Sequence, residues 1–546
     1  DMGQWYTITI KKNNKLIVLR DSLKLLPFSV REIGKAFNTK HRKLDMEYKG
    51  FRYAGCKITE EEQKYIANDV LVVKEALEIM FMRNHTKLTI GACCLEEYTK
   101  IIGGKDIFAN MFPNPYEMMI REEQHGAPNV GEWVRKSYKG GWCYVVKEKA
   151  NKKFYNGLTA DVNSLYPSMM HSESGNYYPV GKPTFWTGNY IPYEAQIGNR
   201  YYFVRIKTRF YLKRNKLPFI QIKHNMLYKP TEMLETSDVY NYKTGKYVTE
   251  VYNAIEDRWE DTRVELTLTM TDYILFLEHY NVKEFEIIDG CWFNTQIGIF
   301  DEYIDFYKKL KIESTGAMRT LAKLFLNNLY GKMATSTNSS FRVARLDENN
   351  VLKFVEVVEH DKSPGYIPIG SAITSYARNF TIRTAQANYY GKNKPGFIYA
   401  DTDSIHCDLP AEKLKNLTVH PTNFCCWKIE ASWDVGLFVR QKTYIEHVVA
   451  EDLKPIDKPY YNIKCAGMPD KCKNLFNTSM QNSVPIMQET DNGLEPINYT
   501  TEEKIFLGEC RTMDDFKIGL KVPGKLLPKR VRGGIILQDT TYELRR

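Results

Sequence analysis

The stretch Phe397-Ile398-Tyr399-Ala400-Asp401-Thr402-Asp403-Ser404 decides how the rest of the chain is read. An apolar strand leads into a turn, where side chains can converge on a ligand, and the turn carries two carboxylates two positions apart, a spacing that on a strand puts both on one face. Side by side they repel each other unless a cation sits near them. Mg2+ takes oxygen ligands and keeps room for substrate phosphates. Asp401 and Asp403 therefore point to metal-assisted phosphate chemistry. The pair alone is weak, because many Asp-x-Asp turns are surface loops and nucleotide-sugar transferases use the same spacing.

Two stretches upstream raise the odds. Leu158-Thr159-Ala160-Asp161-Val162-Asn163-Ser164-Leu165-Tyr166-Pro167-Ser168 places Asp161 at the end of another apolar strand. A helix N-cap explains such an Asp, but not the Tyr166-Pro167 pair close behind it. Lys323-Leu324-Phe325-Leu326-Asn327-Asn328-Leu329-Tyr330-Gly331 puts Lys323, Asn327 and Tyr330 on one helix face. A cation, an amide and a ring on one face suit phosphate, sugar and base. An amphipathic helix with a snorkelling lysine has the same spacing. Lys311 precedes Lys323 by twelve residues, roughly in phase with it.

Around these stretches lie 546 residues, enough for three or more structural units. Apolar residues make up 43% of the chain, enough to build real cores. No apolar run approaches the ~20 residues that span a bilayer, and no secretory signal opens the chain. The net charge of +10 suits a polyanionic partner without proving one. Ten histidines show no metal-ligand spacing, and eleven cysteines include no C-x-x-C, which argues against zinc and fits a reducing cytoplasm. The residues to about Arg83 read as α/β. A strand pair, Trp5–Ile10 and Leu16–Leu19, is followed by a helix with a Thr59/Glu62 capping box and Ile66, Val70, Val73 and Leu77 at helical spacing. Residues 122–128 read as loop, 175–295 as strand-rich, 301–335 as the most helical region, and Ala372–Tyr390 as another helix. The basic tail, Lys517, Lys521, Lys525, Lys529, Arg530 and Arg532, reads equally as a solvated segment or a DNA contact.

The three stretches, in this order, resemble the three polymerase motifs of family B DNA polymerases. Further matches narrow the resemblance. Tyr138-Lys139-Gly140-Gly141 looks like the Y-x-G-G link between nuclease and polymerase, Thr374–Arg378 like T-x-x-A-R, and Lys442-Thr443-Tyr444 like the K-x-Y primer-strand motif. Lys464-Cys465-Ala466-Gly467-Met468 has a counterpart there too. Together they are similar to the protein-primed polymerases of small tailed bacteriophages, nearly end to end.

The resemblance implies a multidomain α+β fold, a right hand of palm, fingers and thumb behind part of a ribonuclease H-like 3′–5′ exonuclease domain. The implied units are the C-terminal part of that nuclease (1–88), a linker and first palm segment (89–172), a first insertion contacting a priming protein and DNA (173–299), fingers (300–335), a second insertion for processivity and strand displacement (336–368), a second palm segment (369–467), and thumb with C-terminal region (468–546). It implies template-directed dNTP addition with two Mg2+ ions, Mn2+ as a substitute, held by Asp161, Asp403 and the Val162 carbonyl, with Asp401 in looser support. Lys311 and Lys323 would neutralise the triphosphate. Tyr166 would exclude a 2′-hydroxyl, Asn327, Tyr330 and Thr402 would border the nucleotide, and Lys442, Tyr444, Tyr138, Gly140, Gly141 and Arg378 would hold primer and DNA. Implied partners are primer-template DNA, dNTPs and a terminal protein whose hydroxyl starts the strand. The expected state is a monomer, off the membrane, in the cytoplasm of an infected or plasmid-bearing cell.

The front of the nuclease departs from the family pattern. Tyr65-Ile66-Ala67-Asn68-Asp69 matches its third motif, Ser22-Leu23 its single-strand-binding motif, and Lys43 and Asp45 more loosely its basic and acidic residues. The early D-x-E and N-x-x-x-F-D motifs are not found. A missing or separately encoded front piece and weak proofreading by this chain are the expectation. Asn328 stands where the family usually has Ser. Competing readings are an inert polymerase-shaped DNA-binding or priming scaffold, a sugar transferase, and a polymerase that makes or copies RNA. Asp161, Asp403, Lys323 and Tyr166 speak against the first. The motifs around Tyr166 and Tyr330 speak against the second. Tyr166 speaks against ribonucleotide use.

Overall fold

The structure, a computed structural model, describes residues 7–46, 55–223, 225–254, 257–336, 340–346, 348, 352–358, 363–481, 486–490, 493–497, 511–531 and 534–545. Trp5, Tyr6 and Arg532 from the readings above, with parts of the second insertion and of the C-terminal region, lie outside the described residues.

The centre is a seven-stranded antiparallel sheet. Its strands are β1 (Cys143–Val145), β2 (Lys153–Val162), β3 (Phe397–Asp401), β4 (Ser404–Cys407), β5 (Trp427–Arg440), β6 (Thr443–Glu451) and β7 (Lys454–Cys465), in the spatial order β7-β6-β5-β2-β4-β3-β1. The two innermost strands carry the carboxylate motifs. β2 pairs with β4 in the register Asp161↔Ser404 and Thr159↔His406. Bulges along β5 curl the sheet, as bulges do. Tyr399 on β3 thereby stacks on Phe438 of β5 and packs on Tyr444 of β6.

Helices cover this sheet. α1 (Leu165–Met170) follows β2 directly, and α4 (Ile367–Ala387), started by Pro368 in its first turn, is buried along most of its length. Residues 301–333 are two helices, α2 (Asp301–Glu313) and α3 (Gly316–Met333), joined at Ser314-Thr315. Lys311 is therefore not in phase with Lys323 on a continuous helix; the hairpin turn, with Gly316 at φ +57°, brings the two together. Between α1 and α2 a four-stranded sheet holds Tyr178–Thr187, Tyr201–Leu212, Val264–Thr269 and Tyr280–Gln296. The region between α3 and α4 contains the hairpin Ser340–Leu346/Leu352–Val358. The basic tail is no free segment: Lys521–Val531 pairs with Gly534–Glu543 and packs on the helix Asp470–Gln481.

At the N-terminal end the helix Glu60–Met82 has the Thr59/Glu62 capping box. Its buried stripe, however, is Val72, Ala76 and Met80, whereas Ile66 and Val70 are exposed. Val73 and Leu77 of the expected stripe are half-buried and pack on the same core, so the expected and observed faces overlap along the C-terminal half of the helix. The short stretch Glu122–His125, read as loop, is a single helical turn ended by Gly126 in the left-handed region.

Candidate active site

β3 and β4 form a hairpin whose turn is Thr402-Asp403. Asp401 and Asp403 are thus not alternate residues of one strand, and the turn sends them to different partners. Asp401 meets Lys442 Nζ at 3.3 Å, with the Tyr399 hydroxyl 3.4 Å and the Thr402 hydroxyl 3.2 Å away. Asp403 is tied to β2 through its carbonyl, which accepts from Val162 N at 2.8 Å. Burial raises the Asp161 carboxyl well above the ordinary carboxylate range, and the neighbouring Asp403 raises it further. Burial likewise raises Asp403, with Asp401 adding to it. Two half-buried carboxylates held in this way are disfavoured as a charged pair unless a cation compensates them.

Thr402 adopts φ +59°, a costly conformation for a β-branched residue. Three contacts impose it: its N–H donates to Trp142 O at 2.7 Å, Thr381 Oγ1 donates to its carbonyl at 2.8 Å, and its side chain packs on Gly141. Beneath the turn, Arg378 donates to the carbonyls of Lys139 and Gly140 and pairs with Asp272. Arg378 is only 4% exposed. This corrects its reading as a DNA contact: its donors are spent inside the protein, shaping the Tyr138–Gly141 segment. Tyr444 is likewise buried, packed among Tyr399, His406 and Phe438. It supports the site from below, whereas the Lys442 side chain is 61% exposed and paired with Asp401.

Across the cleft, α1 and α3 bring Tyr166 and Tyr330 into face-to-face stacking. Lys323 and Asn327 are exposed on the same face of α3. Lys311 Nζ lies 3.4 Å from Ser164 Oγ, and Ser164 itself sits at φ +50°. Burial lowers the Lys311 ammonium, and the nearby Lys323 and Arg319 lower it further. Lys323 also acts on the Asp161 carboxyl, which it lowers, so two cations from different helices stand near the carboxylates. Asn328 donates to Leu324 O at 2.7 Å and is turned into its own helix.

Among the described residues no three Asp, Glu, His or Cys side chains form a metal cage. Asp161 and Asp403 fit Mg2+ in another way, because that ion is usually held by one or two carboxylates and completes its shell with water and substrate phosphates. Sequence reading missed Lys428, which stands opposite Asp161 on β5 and lowers its carboxyl. It also missed Asp272. Neither carried a local signal: Lys428 sits in an ordinary alternating strand, and Asp272 is identified only by the arginine it meets.

At the N-terminal end, Lys43 Nζ donates to the Tyr65 hydroxyl at 2.5 Å and to Asp69 Oδ2 at 2.6 Å. Asp45 does not join them; it is exposed and paired with Arg31. Ser22 and Leu23 lie in a short 3-10 turn capped by Asp21, with Leu23 exposed.

The model of the family described as DNA polymerase type B, organellar and viral, matches residues 1–57 and 53–418. The chain is 34% identical to the DNA polymerase of Bacillus phage B103, with all of this chain and 84% of that protein covered. It is 30% identical to the DNA polymerase of Streptococcus phage Cp-1, covering 82% of it. Phi29 DNA polymerase complexed with primer-template DNA and incoming nucleotide superposes with a TM-score of 0.78 at 32% identity, covering 100% of this chain and 84% of that one. No helix among the described residues is long and apolar enough to cross a membrane.

Proposed function

The chain belongs to the organellar and viral type B DNA polymerases and is a DNA-directed DNA polymerase, and on that premise we propose that it extends a primer at the cleft between β2, the β3–β4 turn and α3. The observation that carries the reading is the pairing of Asp161 with the β3–β4 hairpin, with Lys311 and Lys323 brought close to each other by the α2–α3 hairpin and Lys323 acting on the Asp161 carboxyl. Phi29 DNA polymerase holds primer-template DNA and nucleotides, and this chain takes the same partners.

Asp161, Asp403 and the Val162 carbonyl would hold Mg2+, or Mn2+ in its place. Two such ions supply charge neutralisation at the attacking and leaving oxygens of phosphoryl transfer. The chain's own groups do the rest. Lys311 and Lys323 draw in and orient the triphosphate. The stacked Tyr166 and Tyr330 form the wall under the sugar and base, with Asn327 and Thr402 at its edges. Lys442, between Asp401 and solvent, holds the primer end. Tyr138, Gly140 and Gly141 shape the floor on which Thr402 rests. These contacts read phosphate, sugar and shape, which leaves sequence to the template.

We further assign residues 1–88 to a nuclease remnant, 89–172 and 369–467 to the palm, 300–335 to the fingers, 468–546 to the thumb region, and 173–299 and 336–368 to two insertions. The first insertion would receive a terminal protein whose Ser, Thr or Tyr hydroxyl primes synthesis; this rests on the likeness to phage polymerases. The Lys43–Tyr65–Asp69 cluster contributes one carboxylate, and Asp45 is committed elsewhere. The chain by itself therefore shortens primers weakly or not at all, because two-metal hydrolysis needs several carboxylates. It acts as a monomer in the cytoplasm of the host cell.

The test is primer extension on a hairpin template with Mg2+ and dNTPs, beside Asp403→Ala and a lane without nucleotides. Extension by the native chain alone upholds the reading. DNA binding without extension would leave a polymerase-shaped scaffold. Primer shortening in the nucleotide-free lane would overturn the nuclease assignment.

A further inference from the structure

One rung below the carboxylates, the curled sheet buries a charged group that the reaction described above does not use. Glu446 on β6 and His406 on β4 are both fully buried. His406 Nδ1 lies 2.6 Å from Glu446 Oε1, and the Thr159 hydroxyl donates to the same oxygen at 2.8 Å. Asn462 on β7 donates to the other oxygen at 3.1 Å. Trp433 Nε1 donates to Thr159 Oγ1 at 3.3 Å. His406 Nε2 faces Ser404 Oγ at 3.4 Å, and that hydroxyl reaches the Asp401 carbonyl at 3.3 Å.

Burying a carboxylate is costly, mutual hydrogen bonds only offset the cost, and replacing such a polar set as a whole by apolar residues is often as stable or more so. The placement of this one is the clue. Thr159 and Asp161 alternate on β2 and share a face. Their cross-strand partners on β4 are His406 and Ser404. Glu446 stands two residues after Tyr444, whose ring supports the β3–β4 turn from below. The network joins β2, β4, β6 and β7 on the side from which Asp161 projects.

We propose that Glu446 and His406 are positioning residues that set the separation of Asp161 and Asp403 and so tune divalent-ion binding by this polymerase. The proposal rests on the reading of those two aspartates as the ion-holding pair. The network reaches the pair through Ser404 and the Asp401 carbonyl and through the β2–β4 register, so its loss would free the spacing of the two aspartates. Groups that orient metal ligands typically change metal affinity or activity by about ten- to a hundredfold.

The test uses the full chain with primer-template DNA and three variants, Glu446→Leu, Glu446→Gln and Asp403→Ala. Three quantities are read: melting temperature, Mn2+ bound as counted by electron paramagnetic resonance, and kcat against KM for dNTP. Glu446→Leu leaves His406, Thr159 and Asn462 without their acceptor and is expected to melt below the native temperature, and in the folded protein to bind Mn2+ about tenfold more weakly and lose about tenfold or more in kcat, with KM little changed. Glu446→Gln, which keeps an acceptor for Thr159, is expected to recover most of both losses. If Glu446→Leu does not fold, His406→Gln carries the same comparison. Native Mn2+ affinity and kcat in a folded Glu446→Leu or His406→Gln overturn the proposal and leave an ordinary core network. Native Mn2+ binding and extension by Asp403→Ala overturn instead the assignment of the ion-holding pair.

Discussion

The ring of Tyr166 on α1 lies on the ring of Tyr330 on α3, with centroids 4.0 Å apart and planes 20° from parallel. One ring comes from the helix that follows the Asp161 strand, the other from the helix that carries Lys323. On the proposed reading this stack lies under the sugar and base of the nucleotide, and Tyr166 is the ring that an added 2′-hydroxyl would meet. Tyr166→Val removes one leaf of the stack. Discrimination against ribonucleotides is expected to fall by about ten- to a hundredfold, read as the ratio of kcat/KM for dNTP and rNTP. Unchanged discrimination would remove Tyr166 from that role.

The two glycines of the Tyr138–Gly141 segment are not equivalent. A Cβ on Gly141 would sit 2.7 Å from Thr402 Cγ2 and 2.9 Å from its Cβ, whereas one on Gly140 meets nothing within 4 Å. Gly141→Ala must displace the strained Thr402 and with it the Asp401–Asp403 turn. A fall in kcat of about a hundredfold is expected, since a misplacement of about 1 Å costs that much. Gly140→Ala should extend primers at close to the native rate. Equal effects of the two substitutions in the same assay would contradict this geometry.

Lys311 and Lys323 face the cleft from different helices. Loss of one charge-assisted contact to the triphosphate should raise KM for dNTP by about tenfold, with primer-template affinity unchanged. Lys311→Ala and Lys323→Ala are compared by steady-state incorporation and gel retardation. A parallel loss of DNA binding would place these lysines on the nucleic acid instead.

His279, at the end of the helix Met270–His279, is a separate acid-sensitive point. It is 2% exposed, and its Nδ1 lies 2.8 Å from the Leu217 carbonyl, to which the neutral ring donates. Burial lowers its pKa from 6.5 to about 4, and Lys216 and Arg383 lower it further against the opposing pull of Leu217 and Glu278. The folded value lies below the unfolded one, so the contribution is full above pH 6.5 and is lost as the pH falls toward 4. The loss amounts to about 3 kcal/mol. The melting temperature of His279→Gln should fall less steeply than that of the native chain across this window. Parallel curves would show that His279 takes up its proton in the folded state.

The three polymerase stretches were legible because each joins a strand or helix signal to a chemical group within a few residues. Asp161 at a strand end and the face of Lys323, Asn327 and Tyr330 are local facts. What the sequence did not show depends on long-range contact. Nothing near Arg378 reveals that Asp272 waits for it more than a hundred residues away, so a buried arginine read as a DNA contact. Tyr444 read as a primer contact because Lys442-Thr443-Tyr444 resembles the K-x-Y motif, and the curl of the sheet buries its ring while Lys442 stays exposed. The break between α2 and α3 inside the helical region, and the tightness of the turn that carries Asp403, were not visible in the sequence pattern. In each case a residue in the left-handed region, Gly316 or Thr402, redirects the chain, and Thr402 gave no warning because threonine rarely takes that conformation.

The most direct measurement is single-turnover incorporation of one dNTP on a primer-template by the native chain, Asp161→Asn and Asp403→Asn, with DNA affinity measured in parallel. Each substitution keeps the size of the side chain and removes the charge. The expected result is a loss of about a thousandfold or more in the rate for both, with DNA affinity within a few-fold of native. A variant that keeps its rate within about tenfold of native, less than one such electrostatic contact is worth, would contradict the assignment of these two carboxylates as the centre of the reaction.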